Sequence, residues 1–303
     1  MHRYPAKILL FGEHVLLLGA TALSVPAPVF GLTPAWKTPQ TPPAELFTDK
    51  LLRFAESTEL RAVGGLDTET FKKDLAAGLY FRSDIPTGYG MGSSGALCAA
   101  VYDRYCREKT TDLAVLKSEL AGMERFFHGA SSGIDPLTSY LGQPLVIRNK
   151  NEVSIARMTP WTEAPVVFLL DTQQPRQTAP LVKWFMEQSR QPGFSEKLNK
   201  SLLPAHEAMV QAWLEADASV FRDALKQVSV FQLEQFEPMV PASIRPVWRA
   251  CLAGDDVTLK VCGAGGGGYI LGFARSRDAA IQAIQEFPLV FPFSMQHPQM
   301  HDG

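Results

Sequence analysis

Four cysteines in 303 residues, Cys98, Cys106, Cys251 and Cys262, are too few for a disulfide scaffold. Their spacings fit neither a zinc site nor a redox motif, and such sparse use suits a reducing compartment. Charge of one sign is also missing: 29 Lys and Arg stand against 31 Asp and Glu, a net charge of −2. Without a basic field or a local Lys/Arg cluster, polyanion binding is not expected, and nucleic acid is set aside as a partner. No run of about 18 residues is apolar enough to span a bilayer, so no membrane partner is expected. Arg3 and Lys7 ahead of residues 8–11 and 15–18 imitate a secretory signal, but Glu13 and His14 interrupt the apolar stretch, which a signal peptide tolerates poorly. The expected location is the cytoplasm. Internal repeats and low-complexity runs are absent as well.

The rest is ordinary globular material, 46% hydrophobic and 20% charged, and the length gives a prior of about two domains. Residues 4–11 and 16–25 read as paired strands around Gly12-Glu13-His14, with a Pro-rich loop over 34–43. Helices are expected over 46–54 and 71–77, and a strand over 79–81. Leu97, Ala100, Val101 and Tyr105 recur at helical spacing behind a start near Ser93. A second helix, capped by Thr111, lines up Leu113, Leu116, Leu120, Met123 and Phe127 and stops at Gly129. Beyond about residue 155 the composition shifts. A strand over 166–170, a helix-rich stretch over 179–233, strands over 258–261 and 269–273 and a last helix over 277–287 follow. Strands and helices mix without regular βαβ alternation, which favours an α+β fold.

Three segments carry the chemistry. Gly88, Gly90, Gly92 and Gly95 surround Ser93 and Ser94 at a helix start. Glycine lets a ligand approach the backbone, and the first amides of a helix have no internal partner, so the pattern suits an anion such as phosphate. A plain strand-to-helix turn is the alternative. Residues 263–268 read Gly-Ala-Gly-Gly-Gly-Gly between two short apolar strands. No helix opens after them, which rejects a dinucleotide fingerprint, and neither glycine loop ends as a Walker A motif does. Close packing against a ligand or another loop explains glycines that would otherwise weaken a strand pair. Glu124 and Asp135 lie eleven residues apart across a Gly/Ser turn. Both can face one cleft, one holding a metal and the other taking a proton; a solvated carboxylate and an N-cap are the alternatives. Lys7 sits in an apolar strand, where a lysine needs a partner, usually a carboxylate. Glu13 and His14 are polar in similarly apolar surroundings, and for His14 alone a hydrogen-bonded structural role is the stronger reading.

Taken in order, KILLFGEHVLLLGATAL (7–23), PTGYGMGSSGA (86–96), HGASSGID (128–135) and KVCGAGGGG (260–268) resemble the signature segments of the GHMP kinases, named for galactokinase, homoserine kinase, mevalonate kinase and phosphomevalonate kinase. The motifs span residues 7 to 268. Within the family the likeness is nearest to the mevalonate kinase branch. That branch follows Gly-Glu-His with a short apolar run and Gly (here Gly19), places a Glu eleven residues before the Asp of His-Gly-x-x-Ser-Gly-Ile-Asp, and has an Arg-x-Thr stretch that Arg176-Gln177-Thr178 resembles.

The resemblance implies a two-domain fold: an N-terminal α/β kinase domain with the ATP and Mg²⁺ site, here 1–155, and a C-terminal ferredoxin-like domain, here 156–303. It implies ATP-dependent phosphorylation of a small-molecule alcohol, (R)-mevalonate to 5-phosphomevalonate in isoprenoid biosynthesis. Another family kinase acting on a sugar or a different hydroxy acid, and a catalytically silent member, remain alternatives, and a homodimer is left open. Residue by residue, Asp135 would accept the hydroxyl proton and Lys7 would pair with it. Ser94 and Glu124 would hold Mg²⁺. Gly88, Gly90, Gly92, Ser93, Ser94 and Gly95 would bind the triphosphate. Glu13, His14, Thr178 and, from the cleft-lining glycine loop, Gly265 and Gly266 would face the acceptor. The chain departs from the branch at Tyr89 and Met91, usually Ala and Leu, at Ala130-Ser131, usually ending in Pro, and at Cys262, usually Thr.

Overall fold

Lys7 is the one charged residue of β1 (Tyr4–Phe11), an otherwise apolar and largely buried strand. The structure, a computed structural model, describes residues 2–39, 41, 48–176 and 178–293. After β1 the chain does not enter a second strand at residue 16. Gly12 and Gly19, at φ +108° and +99°, bracket a 3-10 turn at Val15–Leu18 that buries Val15 and leaves Leu17 and Leu18 exposed. An apolar run that short, closed at both ends by left-handed glycines, turns instead of extending. The partner strand β2 (Ala22–Trp36) starts later and runs through Pro26, Pro28 and Pro34, into the loop expected from residue 34. Proline removes a ladder donor and is tolerated on edges. Here β2 has β1 alone beside it between Val25 and Gly31 and β3 alone between Thr33 and Trp36, so its prolines fall where one side is free.

Three helices follow, α1 (Thr48–Ala55), α2 (Thr58–Arg61) and α3 (Thr68–Ala76), then β3 (Leu79–Ser83). Pro42, Pro43, Leu46 and Phe47, which belong to the expected loop and helix, lie outside the described residues. Helices α4 (Ser93–Tyr105), α5 (Leu113–His128) and α6 (Ile134–Leu141) come next. The cap of α5 is Asp112 rather than Thr111: its carboxylate accepts from Ala114 and Val115 amides at 2.8 and 3.1 Å, which a residue one place earlier does not do. A hairpin the sequence pattern did not reveal, β4 (Leu145–Arg148) and β5 (Glu152–Ile155), completes an antiparallel sheet ordered β1-β2-β4-β5, with β3 also on β2.

The second sheet begins with β6 (Val166–Asp171). Helices α7 (Thr178–Gln188), α8 (Pro192–Lys197), α9 (Leu203–Glu215), α10 (Ala218–Gln235) and α11 (Arg245–Ala253) intervene, a π turn at Leu198–Leu202 joining α8 to α9. Strands β7 (Val257–Val261) and β8 (Tyr269–Ala274), helix α12 (Arg277–Ala283) and β9 (Leu289–Val290) close it. Helix α12 stops short of residue 287 because Ile284 leaves helical space (φ −126°, ψ 86°), freeing the chain to add β9. The order β7-β8-β6-β9, all antiparallel, is the split βαβ arrangement of ferredoxin-like folds. The architecture is therefore α+β with two sheets, as expected. Phe11, at the end of β1, packs on Trp213, Phe221 and Phe273 of the other half, so one apolar core runs through both. Among the described residues no helix is long and apolar enough to cross a membrane.

Candidate active site

The loop before α4 takes its shape from Gly88, Gly90 and Gly92, whose φ values of +82°, +70° and +73° suit no other residue well. Gly92 is the N-cap of α4 and supplies no side chain to it. The first amides of α4, on Ser93 and Ser94, therefore stay available to an anion, and the helix dipole favours one. Gly95 brings the next helix close. A β-carbon there would lie 2.7 Å from the Pro136 nitrogen and 2.8 Å from the Asp135 carbonyl carbon, so α4 and α6 meet main chain to main chain. Asp135, in the first turn of α6, is thereby carried to the glycine loop.

Lys7 reaches the same point from β1. Its Nζ lies 2.9 Å from Asp135 Oδ1, and a β-carbon on Gly92 would strike its Cγ at 2.9 Å. The Lys7 amide also donates to the Met91 carbonyl at 2.9 Å, which ties the loop to β1. The ammonium is nearly buried while the carboxylate keeps part of its surface open, so the pair faces whatever lies between the loop and α6.

Glu124, in α5, is only 5% exposed. Ser94 donates to its Oε1 at 2.9 Å, and Ser131 donates to Oε2. The single Ser94 proton is used in that bond, so His128 Nε2, 2.9 Å from Ser94 Oγ, carries the hydrogen between them. Burial, then the nearby Asp135 charge, pushes the Glu124 carboxyl up to about 7. A buried carboxylate so destabilised, joined to a hydroxyl at a helix N-terminus, fits a divalent cation. No group of three or more His, Cys, Asp and Glu is gathered among the described residues. Mg²⁺ usually takes one or two protein oxygens and completes its shell with phosphates and water, and Ser94 and Glu124 are the two oxygen donors that would hold it here.

The opposite wall comes from the C-terminal half. Arg176 spreads its guanidinium where a β-carbon on Gly90 or Gly263 would otherwise sit, and donates from Nη1 to the Cys262 carbonyl at 3.0 Å. Burial presses its pKa below the ordinary value. His14 has φ +59°, unusual for a residue with a side chain. Its Nε2 faces the Ala264 carbonyl at 2.9 Å and so bears the proton, while burial lowers its pKa and keeps the ring neutral. Its Nδ1 is then a buried acceptor with no partner among the described residues.

The expected residues fall into three groups. Lys7, Ser94, Glu124, Asp135 and the glycines of 88–95 come together. Glu13 does not open toward them: it is buried against Lys260, and burial raises its pKa while that ammonium opposes the rise. Gly265 and Gly266 pack against Met239 and Leu181, and Thr178 is exposed in the first turn of α7. Gln177 lies outside the described residues. Sequence reasoning gave no role to Arg176, His128, Ser131 or Lys260. Arg176 and Lys260 stood inside the quoted motifs, and their charge amid apolar or glycine neighbours was the available signal.

Residues 51–143 match the profile of the GHMP kinases N terminal domain. A mevalonate kinase of Pyrococcus abyssi is 26% identical over 91% of this chain and 89% of its own. Among solved structures, L. major mevalonate kinase in complex with R-mevalonate superposes with TM-score 0.66 at 17% identity, covering 94% of this chain and 90% of that one. Streptococcus pneumoniae phosphomevalonate kinase, in complex with phosphomevalonate and AMPPNP, gives TM-score 0.63 at 14% identity, covering 93% and 94%. Fold and matches together make the chain similar to the GHMP kinases, with the domain match itself lying over residues 51–143. The chain is a mevalonate kinase-like phosphotransferase whose acceptor is an alcohol group.

Proposed function

We propose that the chain transfers the γ-phosphoryl group of ATP to (R)-mevalonate, forming ADP and 5-phosphomevalonate. Asp135 takes the proton of the attacking hydroxyl, and Lys7, 2.9 Å away, steadies the negative charge that develops as the bond to phosphorus forms. Phosphoryl transfer asks mainly for such positioning and charge neutralisation. The open amides of Ser93 and Ser94 and the loop from Gly88 to Gly95 cradle the triphosphate. Ser94 and Glu124 hold Mg²⁺, which when bound neutralises β- and γ-phosphate oxygens. His14 Nδ1 accepts a hydrogen bond from the acceptor, and Thr178 stands at the rim. The ATP and Mg²⁺ site belongs to an N-terminal domain of residues 1–155, and the acceptor lies between His14 of that domain and the wall supplied by a C-terminal domain of residues 156–303, in a protein of the cytoplasm serving isoprenoid biosynthesis.

Arg176 carries the choice of acceptor. It is a largely buried cation over the phosphate loop, and among the described residues no carboxylate lies within ion-pair distance of it. An anionic hydroxy acid such as mevalonate supplies the missing charge, whereas a neutral sugar leaves it uncompensated. ADP release by the purified protein with Mg-ATP and (R)-mevalonate, beside galactose, homoserine and phosphomevalonate, tests the reading. Release with mevalonate alone supports it; release only with another acceptor replaces mevalonate and keeps the kinase.

A further inference from the structure

Tyr89 and Met91 are the two bulky members of a loop otherwise built from small residues; Met91 is buried, and Tyr89 does not point away into solvent either. Its hydroxyl donates to Asp171 Oδ1 at 3.0 Å, and its ring meets Tyr269 edge-on with centroids 4.8 Å apart. Asp171 ends β6 and Tyr269 begins β8, paired neighbours in the second sheet. The loop main chain comes down on the other glycine segment too: a β-carbon on Gly268 would lie 3.3 Å from Tyr89 Cα. We propose that Tyr89 and Asp171 form a clasp that holds the phosphate loop against the C-terminal half and thereby positions its amides for the nucleotide.

The loop needs an outside hold. Tyr89 stands between Gly88 and Gly90, both in the left-handed region, where the backbone has more freedom than at any residue with a side chain. At Met91 the loop is tied to β1 through the Lys7 amide. At Tyr89 it is tied to a residue that cannot easily follow it. The Asp171 main chain is in the sheet and bonded to Pro288, and its Oδ1 also accepts from the Gln173 amide at 2.8 Å. Three residues of loop thus bridge the two halves, with Arg176 filling the space beside Gly90 between the anchors. With the clasp closed, the amides from Gly90 to Ser94 keep one arrangement. With it broken, the two flanking glycines let the loop spread over several arrangements, and nucleotide binding must order it again. Tyr89 and Asp171 are positioning residues, acting through the loop.

The proposal rests on residues 88–95 binding the triphosphate and not on the acceptor, so it is tested without one. Full-length protein is titrated calorimetrically with the non-hydrolysable Mg-AMPPNP, as wild type, Tyr89→Phe, Asp171→Ala and the double variant. Tyr89→Phe keeps the ring and its contact with Tyr269, so folding is not at stake. Each single variant is expected to weaken binding about three- to tenfold, and the double no more than the weaker single. The nucleotide-free melting midpoint of Tyr89→Phe should stay within about 2 °C of wild type, a readout that a merely structural hydrogen bond would move instead. Wild-type affinity in Tyr89→Phe, or losses that add in the double variant, overturns the clasp. Failure of the wild type itself to bind the nucleotide overturns the phosphate-loop reading as well.

Discussion

Lys260 holds the carboxylate of Glu13, 247 residues earlier in the chain, and neither side chain reaches solvent appreciably. The same ammonium donates to the carbonyls of Leu10 and Val261, both at 3.0 Å, so all three of its hydrogens are engaged. A buried pair of this kind adds little net stability over an apolar replacement, because desolvation offsets most of the attraction. What it does add is location. It fastens the turn that carries His14 to β7, on the far side of the cleft.

Lys260→Met should therefore be costly, since it leaves the Glu13 carboxylate buried and unpaired. A loss of about 3–5 kcal/mol is expected. Glu13→Gln combined with Lys260→Met should recover much of it. Urea unfolding midpoints of the three proteins compare them directly, and a double variant less stable than Lys260→Met contradicts the pairing.

Asp135→Ala should lower turnover by a factor of about 10²–10⁴, the usual share of a general base. The amides of α4 do not depend on that side chain, so calorimetric affinity for Mg-ATP should change little. Turnover near wild type removes Asp135 from the reaction.

Glu124 gives a pH signature. Its folded-state value of about 7 lies above the ordinary 4.5, so between those values the folded protein holds a proton that the unfolded chain releases. The stability from that proton is fully present below about pH 4.5 and is lost as the pH rises through 7. Glu124→Gln removes the dependence. Relative to wild type without metal, the variant should gain on the order of 2 kcal/mol between pH 5 and pH 8, read from unfolding curves at the two pH values. Parallel curves would show that Glu124 titrates normally. The same variant should need more Mg²⁺ for half-maximal turnover.

Gly90→Ala puts a methyl group 1.5 Å from Arg176 Nη2 and forces a left-handed alanine. The guanidinium must leave its place beside the loop. Mg-ATP affinity and kcat/KM should both fall at least tenfold, a loss of about 1.4 kcal/mol or more in each. Wild-type kinetics in this variant would mean that the Arg176 position is not used.

Local signals read well. The period of Leu97, Ala100, Val101 and Tyr105 located α4, and Gly129 marked the end of α5. The loneliness of Lys7 in an apolar strand anticipated a carboxylate partner, and Asp135 is there. Where two local patterns competed, the structure took the other one. Val15–Leu18 has the composition of a strand, but left-handed glycines at both ends make it a turn. The prolines of β2 looked like loop because the free sides of that strand depend on where β3 and β4 end. The pairing of Glu13 with Lys260 joins residues on two sheets, and no spacing rule reaches that far. Likewise, nothing near Tyr89 in the chain announced Asp171.

The close meeting of α4 and α6 at Gly95 bears on how such an enzyme can change. No side-chain rotamer stands between the amides that would cradle the phosphates and the backbone that carries Asp135. Their separation is set by the radii of two main chains. Mutation has no small adjustment to offer there: the smallest addition, one methyl group, already collides. A lineage that acquired a larger or differently charged acceptor would have to make room at the other wall, around Arg176 and the start of α7. The donor side behaves as a fixed gauge, and specificity is free to drift only opposite it.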